Sequence, residues 1–298
     1  MQSALAALAV VTFISAEPKL PAPRLWRPPD VKLVSAGTPP LTPMRYALAK
    51  QGQGGFSLEA SGRWRVKTSS GEATSMLPDL LLPFTYTVEA PAKVVFEFGD
   101  AKVTGPRASQ EAATQAILDQ LEGVRGSVQF DARGLAQSLS IMPSPNDPEF
   151  ARDTSKVTVG THYALEIARS AFMHLFTPLP DEPIGVGASW RVERPQTRGT
   201  ISYTEVATFT LVSRDADRAK LSVRLGGKPD PLGGLRPDHI DVEVGGEGEV
   251  ELEFARPFPV RLEDKLSIHA FTGPRDAQRV EHEGAMTGRL QLVSRRTP

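Results

Sequence analysis

Residues 56–67 read Phe-Ser-Leu-Glu-Ala-Ser-Gly-Arg-Trp-Arg-Val-Lys, with apolar or small side chains at even positions and polar ones at odd positions. A strand sends successive side chains to opposite faces, so this spelling describes a ribbon with one dry face and one wet face. It recurs along most of the chain. Met44, Tyr46 and Leu48 alternate with polar or small residues, and further strands read near 84–89, 93–103, 128–130 and 139–141. A turn spelling, Asp131-Ala-Arg-Gly134, separates the last two. Beyond residue 188, strands follow at 189–194, 200–214, 219–225, 247–254, 260–272 and 285–294.

Two stretches change period. Over residues 109–121, Ala112, Ala113, Ala116, Ile117 and Leu121 share a helical face, with Ser109 as N-cap and Gly123 as the terminating glycine. Over residues 162–176, Ala164, Ile167, Ala168, Ala171, Phe172 and Leu175 form an amphipathic stripe. Thr177-Pro178-Leu179-Pro180 ends that helix, because proline disfavours helix in the residue before it. The pattern predicts a mainly β (α+β) protein: one large curved antiparallel sheet, or half-barrel, packed over two amphipathic helices. Residues 226–239 are the longest connection without a pattern.

Domain limits follow from composition. The apolar run Ala4 to Ile14 closes with Ser15 and Ala16, which reads as a secretory signal over residues 1–16. Met1-Gln2-Ser3 lacks the usual basic residue, and the alternative is a buried N-terminal helix. Residues 17–43 are dense in proline and read as an extended tether, or as a segment wrapping the domain surface. Residues 44–298 form a single β-rich domain. Trp64-Arg65-Val66 is echoed by Trp190-Arg191-Val192, and the Gly126–Phe130 spelling by Gly248–Phe254. The echoes suggest two related halves, 44–150 and 151–298; chance likeness between alternating strands is the other reading.

With 34 basic and 35 acidic residues, the chain offers no electrostatic reason to bind nucleic acid or an anionic membrane. It has no cysteine, which removes disulfides, thiolate metal sites and cysteine nucleophiles. No apolar stretch is long enough to be a transmembrane segment.

Residues with chemistry are few. His162 and Glu166 sit one helical turn apart, a metal-capable spacing that lacks a third ligand and reads as a surface pair. His174 suits the end of the same helix. Glu247, Glu249, Glu251 and Glu253 share a strand face, as do Asp241 and Glu243 by parity. A straight strand spreads such carboxylates too far apart for calcium. They read as a wet face balanced by Arg256, Arg261, Lys220 or Arg224. Gly185-Val-Gly187 and Gly226-Gly227-Lys228 complete no phosphate loop and read as turns. No nucleophile elbow appears. Neither a catalytic residue, a metal site nor a cofactor is expected.

The segment from Thr177 to Trp190, a proline-rich stretch with a Gly-x-Gly-x-x-Trp turn after an apolar helix, resembles a segment of exported bacterial proteins of unassigned function. The order of elements is similar to the half-barrel of lipoprotein carriers and related envelope lipid-binding proteins (LolA-like and LppX-like). The resemblance implies a curved sheet wrapped around helices with an apolar cleft and no catalytic residues. The expectation is a non-enzymatic periplasmic or secreted protein that binds a lipid or acyl chain between sheet and helices. Phe84, Phe96, Phe98, Phe130, Phe172 and Phe176 are the candidate ligand-binding residues. The alternative is a structural or scaffold protein of the cell envelope that binds a protein partner.

Overall fold

A computed structural model describes residues 28–48, 52–90, 92–106, 108, 111–153, 158–198, 201–229, 240–274 and 278–293. The signal expected over 1–16, and the proline-rich segment up to residue 27, lie outside them. The strands are β1 (Asp30–Ser35), β2 (Gln53–Thr68), β3 (Gly71–Ala90), β4 (Lys93–Phe98), β5 (Lys102–Thr104), β6 (Arg125–Phe130), β7 (Ala136–Met142), β8 (Ser189–Arg198), β9 (Ile201–Arg214), β10 (Arg218–Pro229), β11 (Ile240–Glu253), β12 (Arg261–Thr272) and β13 (Val280–Val293). The helices are α1 (Ala112–Leu118) and α2 (Val159–Leu175).

The strands form a single curved, unclosed antiparallel sheet, as the alternating spelling predicts. Its order is β1-β8-β9-β10-β11-β12-β13-β2-β3-β4-β6-β7, with β5 on the free length of β3. Two runs of hairpins, one from each half of the chain, join where β13 pairs with β2 from Val293↔Gly55 to Glu281↔Lys67. Most strands bury alternate residues along much of their length, whereas β1 and β7 bury none. In β12, Leu262, Leu266, Ile268 and Ala270 are buried while Arg261, Lys265 and Ser267 are exposed. Each buried Leu, Ile or Phe removes enough apolar surface from water to contribute about 1.5–3 kcal/mol.

Helix α2 presents the predicted stripe, with Ala164, Ile167, Ala168 and Leu175 buried. The side chains of Glu166, Ala171, Phe172 and His174 lie outside the described residues. Thr158 caps this helix by accepting from the Thr161 amide. Helix α1 departs from expectation. Thr114, Ile117, Leu118 and Leu121 face the core, whereas Ala112 and Ala113 are exposed. Alanines carry too little apolar area to decide which face turns inward. Ser109 lies outside the described residues, and Gly123 ends the segment at φ +77°.

Residues 30–35, expected within a tether, instead form the edge strand β1 against β8. Val31 and Leu33 pack partly against the core in a stretch free of proline, so the alternation outweighs the prolines on either side. The segment after β1 is tied down as well. Thr42 bridges to Ile184, and Arg214 donates to the Thr42 and Pro43 carbonyls. Gly226 and Gly227, expected as a turn, lie inside β10 opposite Gly245 and Glu205 respectively. The unpatterned connection is therefore shorter than 226–239, and residues 230–239 lie outside the described ones.

Candidate functional site

Of the predicted ligand-binding rings, Phe84, Phe96, Phe98, Phe130 and Phe176 lie in the core, each in contact with at least one other; the side chain of Phe172 lies outside the described residues. Phe84 packs at 6.0 Å from Phe98, Phe98 at 6.3 Å from Phe96, and Phe130 at 5.2 Å from Phe176. Phe258, from the connection between β11 and β12, wedges among them at 5.6 Å from Phe84 and 5.2 Å from Phe176. Phe56 and Tyr86 complete the group, 5.5 Å from Phe258 each. These separations are those of contacting aromatic rings. Phe96 also lies flat across Gly126 of the neighbouring strand, where an added Cβ would come within 2.2 Å of a ring carbon. The structure brings Phe84, Phe96, Phe98, Phe130 and Phe176 together in a group that includes Phe258.

The Thr177–Trp190 segment closes one end of this interior. Tyr46 donates to the Thr177 carbonyl at 3.1 Å and Trp190 Nε1 to Pro178 at 2.9 Å. The Leu179 amide bonds Arg133, and Arg45 reaches the Pro180 and Asp181 carbonyls. The prolines leave carbonyls without matching N–H donors, and the side chains of Arg45, Tyr46 and Trp190 satisfy them. Nearby, Arg194 of β8 stands opposite Glu205 of β9, both buried. Burial pushes the Arg194 guanidinium down to about 10, and the Glu205 carboxylate draws it back up.

A cavity of about 1150 Å³ lies on the other, polar side of the sheet. Its walls are two adjacent rows of side chains that cross eight neighbouring strands. One row runs Thr208, Arg224, Glu247, Lys265, Thr287, Ser61, Asp79 and Thr104. The other includes Ser222, Glu249, Glu263, Arg289 and Glu59. Between the rows, Ala60, Leu80, Val223, Gly248, Asp264 and Gly288 have the opposite parity, so the floor there is backbone. At about 4.8 Å per strand the trough is roughly 34 Å long. No aromatic or histidine side chain lines it.

Its charges are only partly spent within the sheet. Lys220 pairs with Glu249 at 2.9 Å, and Arg261 and Arg289 both pair with Glu263, at 3.1 and 3.2 Å. Of the cations proposed to balance the β11 carboxylates, Lys220 thus does so and Arg256 pairs with Glu253 at 3.0 Å, whereas Arg261 pairs within its own strand. The hydrogen bond from Lys220 holds the Glu249 carboxyl below its ordinary value. Among the described residues, Glu59, Asp79, Glu247, Arg224 and Lys265 form no ion pair and face the trough. Ser61 and Thr287 hydroxyls meet at 2.8 Å near its middle.

Neither a family model nor a curated protein matches the chain. Among solved structures it is similar to the outer membrane protein opdK of Pseudomonas aeruginosa, at 7% identity and TM-score 0.22, covering 81% of this chain and 99% of that one. OccK2 (OpdF) of the same organism, in complex with glucuronate, gives 6% identity and TM-score 0.23 over 83% and 100%. Ail, the attachment invasion locus protein of Yersinia pestis, gives 7% and TM-score 0.15 over 82% and 99%. At such TM-scores the likeness carries no argument for fold or function. No helix among the described residues is long and apolar enough to cross a membrane.

Proposed function

We propose that the chain is a non-enzymatic binding protein of the cell envelope, and that the polar trough receives an extended polypeptide segment of a partner. The observation that carries this is the trough itself, two side-chain rows wide, with hydroxyls and unspent charges of both signs. Its length of roughly 34 Å matches about ten residues of extended chain. A polypeptide offers both donors and acceptors along that length, plus side chains of either charge. The absence of histidine from the trough, and the ion pairing of Glu249 and Glu263, favour recognition over acid–base chemistry. Export is supported by the apolar run from Ala4 to Ile14, closed by Ser15 and Ala16.

The expected acyl ligand would have to part rings that are already in contact around Phe258. That favours the partner-binding alternative. Selection from a library of random peptides about ten residues long tests the reading. Selected peptides are expected to bind the full chain and to fail against Ser61→Trp and Thr287→Trp, whose indoles fill the middle of the trough. Failure to select any peptide, or equal binding by both variants, overturns it. Native mass spectrometry showing a reproducible acyl mass would return the ligand to Phe84, Phe96, Phe98, Phe130, Phe172 and Phe176.

A further inference from the structure

On the polar face, two pairs along the ladder from the trough, His269 of β12 stands opposite Glu283 of β13. Glu281 lies on the diagonal, with its Oε1 3.0 Å from His269 Nε2. One ligand atom from each of the three side chains lies within 4.8 Å of the other two. All three residues are half-buried. We infer that His269, Glu281 and Glu283 form a site for a zinc ion.

An imidazole nitrogen and two carboxylate oxygens are ordinary zinc donors, at about 2.0–2.2 Å from the metal. Tetrahedral geometry with such bonds sets the donors about 3.3 Å apart. The side chains must therefore draw in by little more than about an ångström, well within rotamer adjustment. Neighbouring strands of the ladder hold the three Cα positions. The His269 ring packs on Phe271 at 4.8 Å, which limits its rotation. Two carboxylates neutralise the ion, and the partial exposure leaves the remaining position to water.

Two cations on β2 face the same spot and set its strength. Arg65 pairs with Glu283 and, at 3.5 Å, with Glu72. Lys67 reaches Glu281 at 3.6 Å from a largely exposed position. On zinc entry Arg65 keeps Glu72 and Lys67 turns to water. Their competition makes the affinity moderate, in the micromolar range, without closing the site.

Calorimetric titration of zinc alone into the full chain tests this, with cobalt substitution read by its visible spectrum. One equivalent is expected to bind, giving the absorption of tetrahedral cobalt. His269→Ala and Glu283→Gln should each weaken binding about tenfold or more. Arg65→Met should tighten it severalfold, because the competing guanidinium is gone; simple loss of a structural contact would not have that effect. His162→Ala, on α2, should leave it unchanged. Absence of binding below millimolar zinc, wild-type binding by His269→Ala, or weaker binding by Arg65→Met overturns the inference.

Discussion

The carboxylate of Asp147 is buried and accepts hydrogen bonds from the amides of Glu149 and Phe150, at 2.9 and 2.7 Å. It also accepts from the Thr158 hydroxyl at 3.1 Å and from the Thr161 hydroxyl, at the start of α2. Burial pushes this carboxyl up from 3.8, but those donors together outweigh burial and hold it at about 2. The ionised form is thus favoured by folding. Its contribution is complete above about pH 4 and fades as pH falls through about 2. Asp147→Asn should cost about 1–3 kcal/mol at neutral pH, since an amide cannot accept from so many donors. Urea unfolding followed against pH should show the variant and wild type converging as the medium approaches pH 2. A second prediction concerns Phe258, which touches Phe56, Phe84, Tyr86 and Phe176. Phe258→Ala should lower stability by about 3–5 kcal/mol in denaturant unfolding, because so large a void cannot collapse.

Among elements, alternation was the legible property. Every expected strand beyond residue 188 appears, although β11 and β13 begin seven and five residues before their expected starts, and the stripe of α2 appears where its side chains are described. Strand β1 is hidden in the sequence because prolines lie close on either side of Val31 and Leu33 and mask so short an alternation. The polar trough was not legible. Its members come from eight strands, and only the register of the whole sheet puts Ser61 beside Thr287, or Arg224 beside Glu247. The same holds for Asp147 and for His269 with Glu281, whose partners lie across loops. Phe84, Phe96, Phe98, Phe130 and Phe176 lie together because phenylalanine at dry positions must meet in a common interior; Phe258, which packs among them, belongs to a connection and follows no period. The segment linking β1 to β2 yields a prediction of its own. Gly185 donates its amide to Ala36, and a Cβ there would come within 1.8 Å of the Thr38 carbonyl oxygen. Gly187 has φ +82° but open space around it. Gly185→Ala should therefore cost more than Gly187→Ala, about 1–3 kcal/mol against about 1. It should also raise hydrogen exchange at Thr38 and Thr42, whose amides bond Val186 and Ile184.

At the scale of the molecule, the two echoing halves are contiguous blocks of one sheet rather than separate bodies. β2 through β7 form one block and β8 through β13 the other, yet β13 pairs along most of β2, and β1, which precedes both halves in sequence, seals the far edge on β8. Phe258 from the second half fills a space between Phe56 and Phe84 of the first. Separating the halves would expose the long edges of β2 and β13 and empty that space, so neither should hold its structure alone. Such coupling demands one cooperative transition, with slow folding because the closing β2–β13 ladder joins residues far apart in sequence. Trp64 and Trp190 are buried in different halves and report on each. Fluorescence of Trp64→Phe and Trp190→Phe proteins should give coincident denaturant transitions, matching far-ultraviolet circular dichroism. Fragments 44–150 and 151–298 expressed separately should show no cooperative transition. Two separated midpoints in the intact chain would mean that the β13–β2 ladder contributes little and that each half closes its own core.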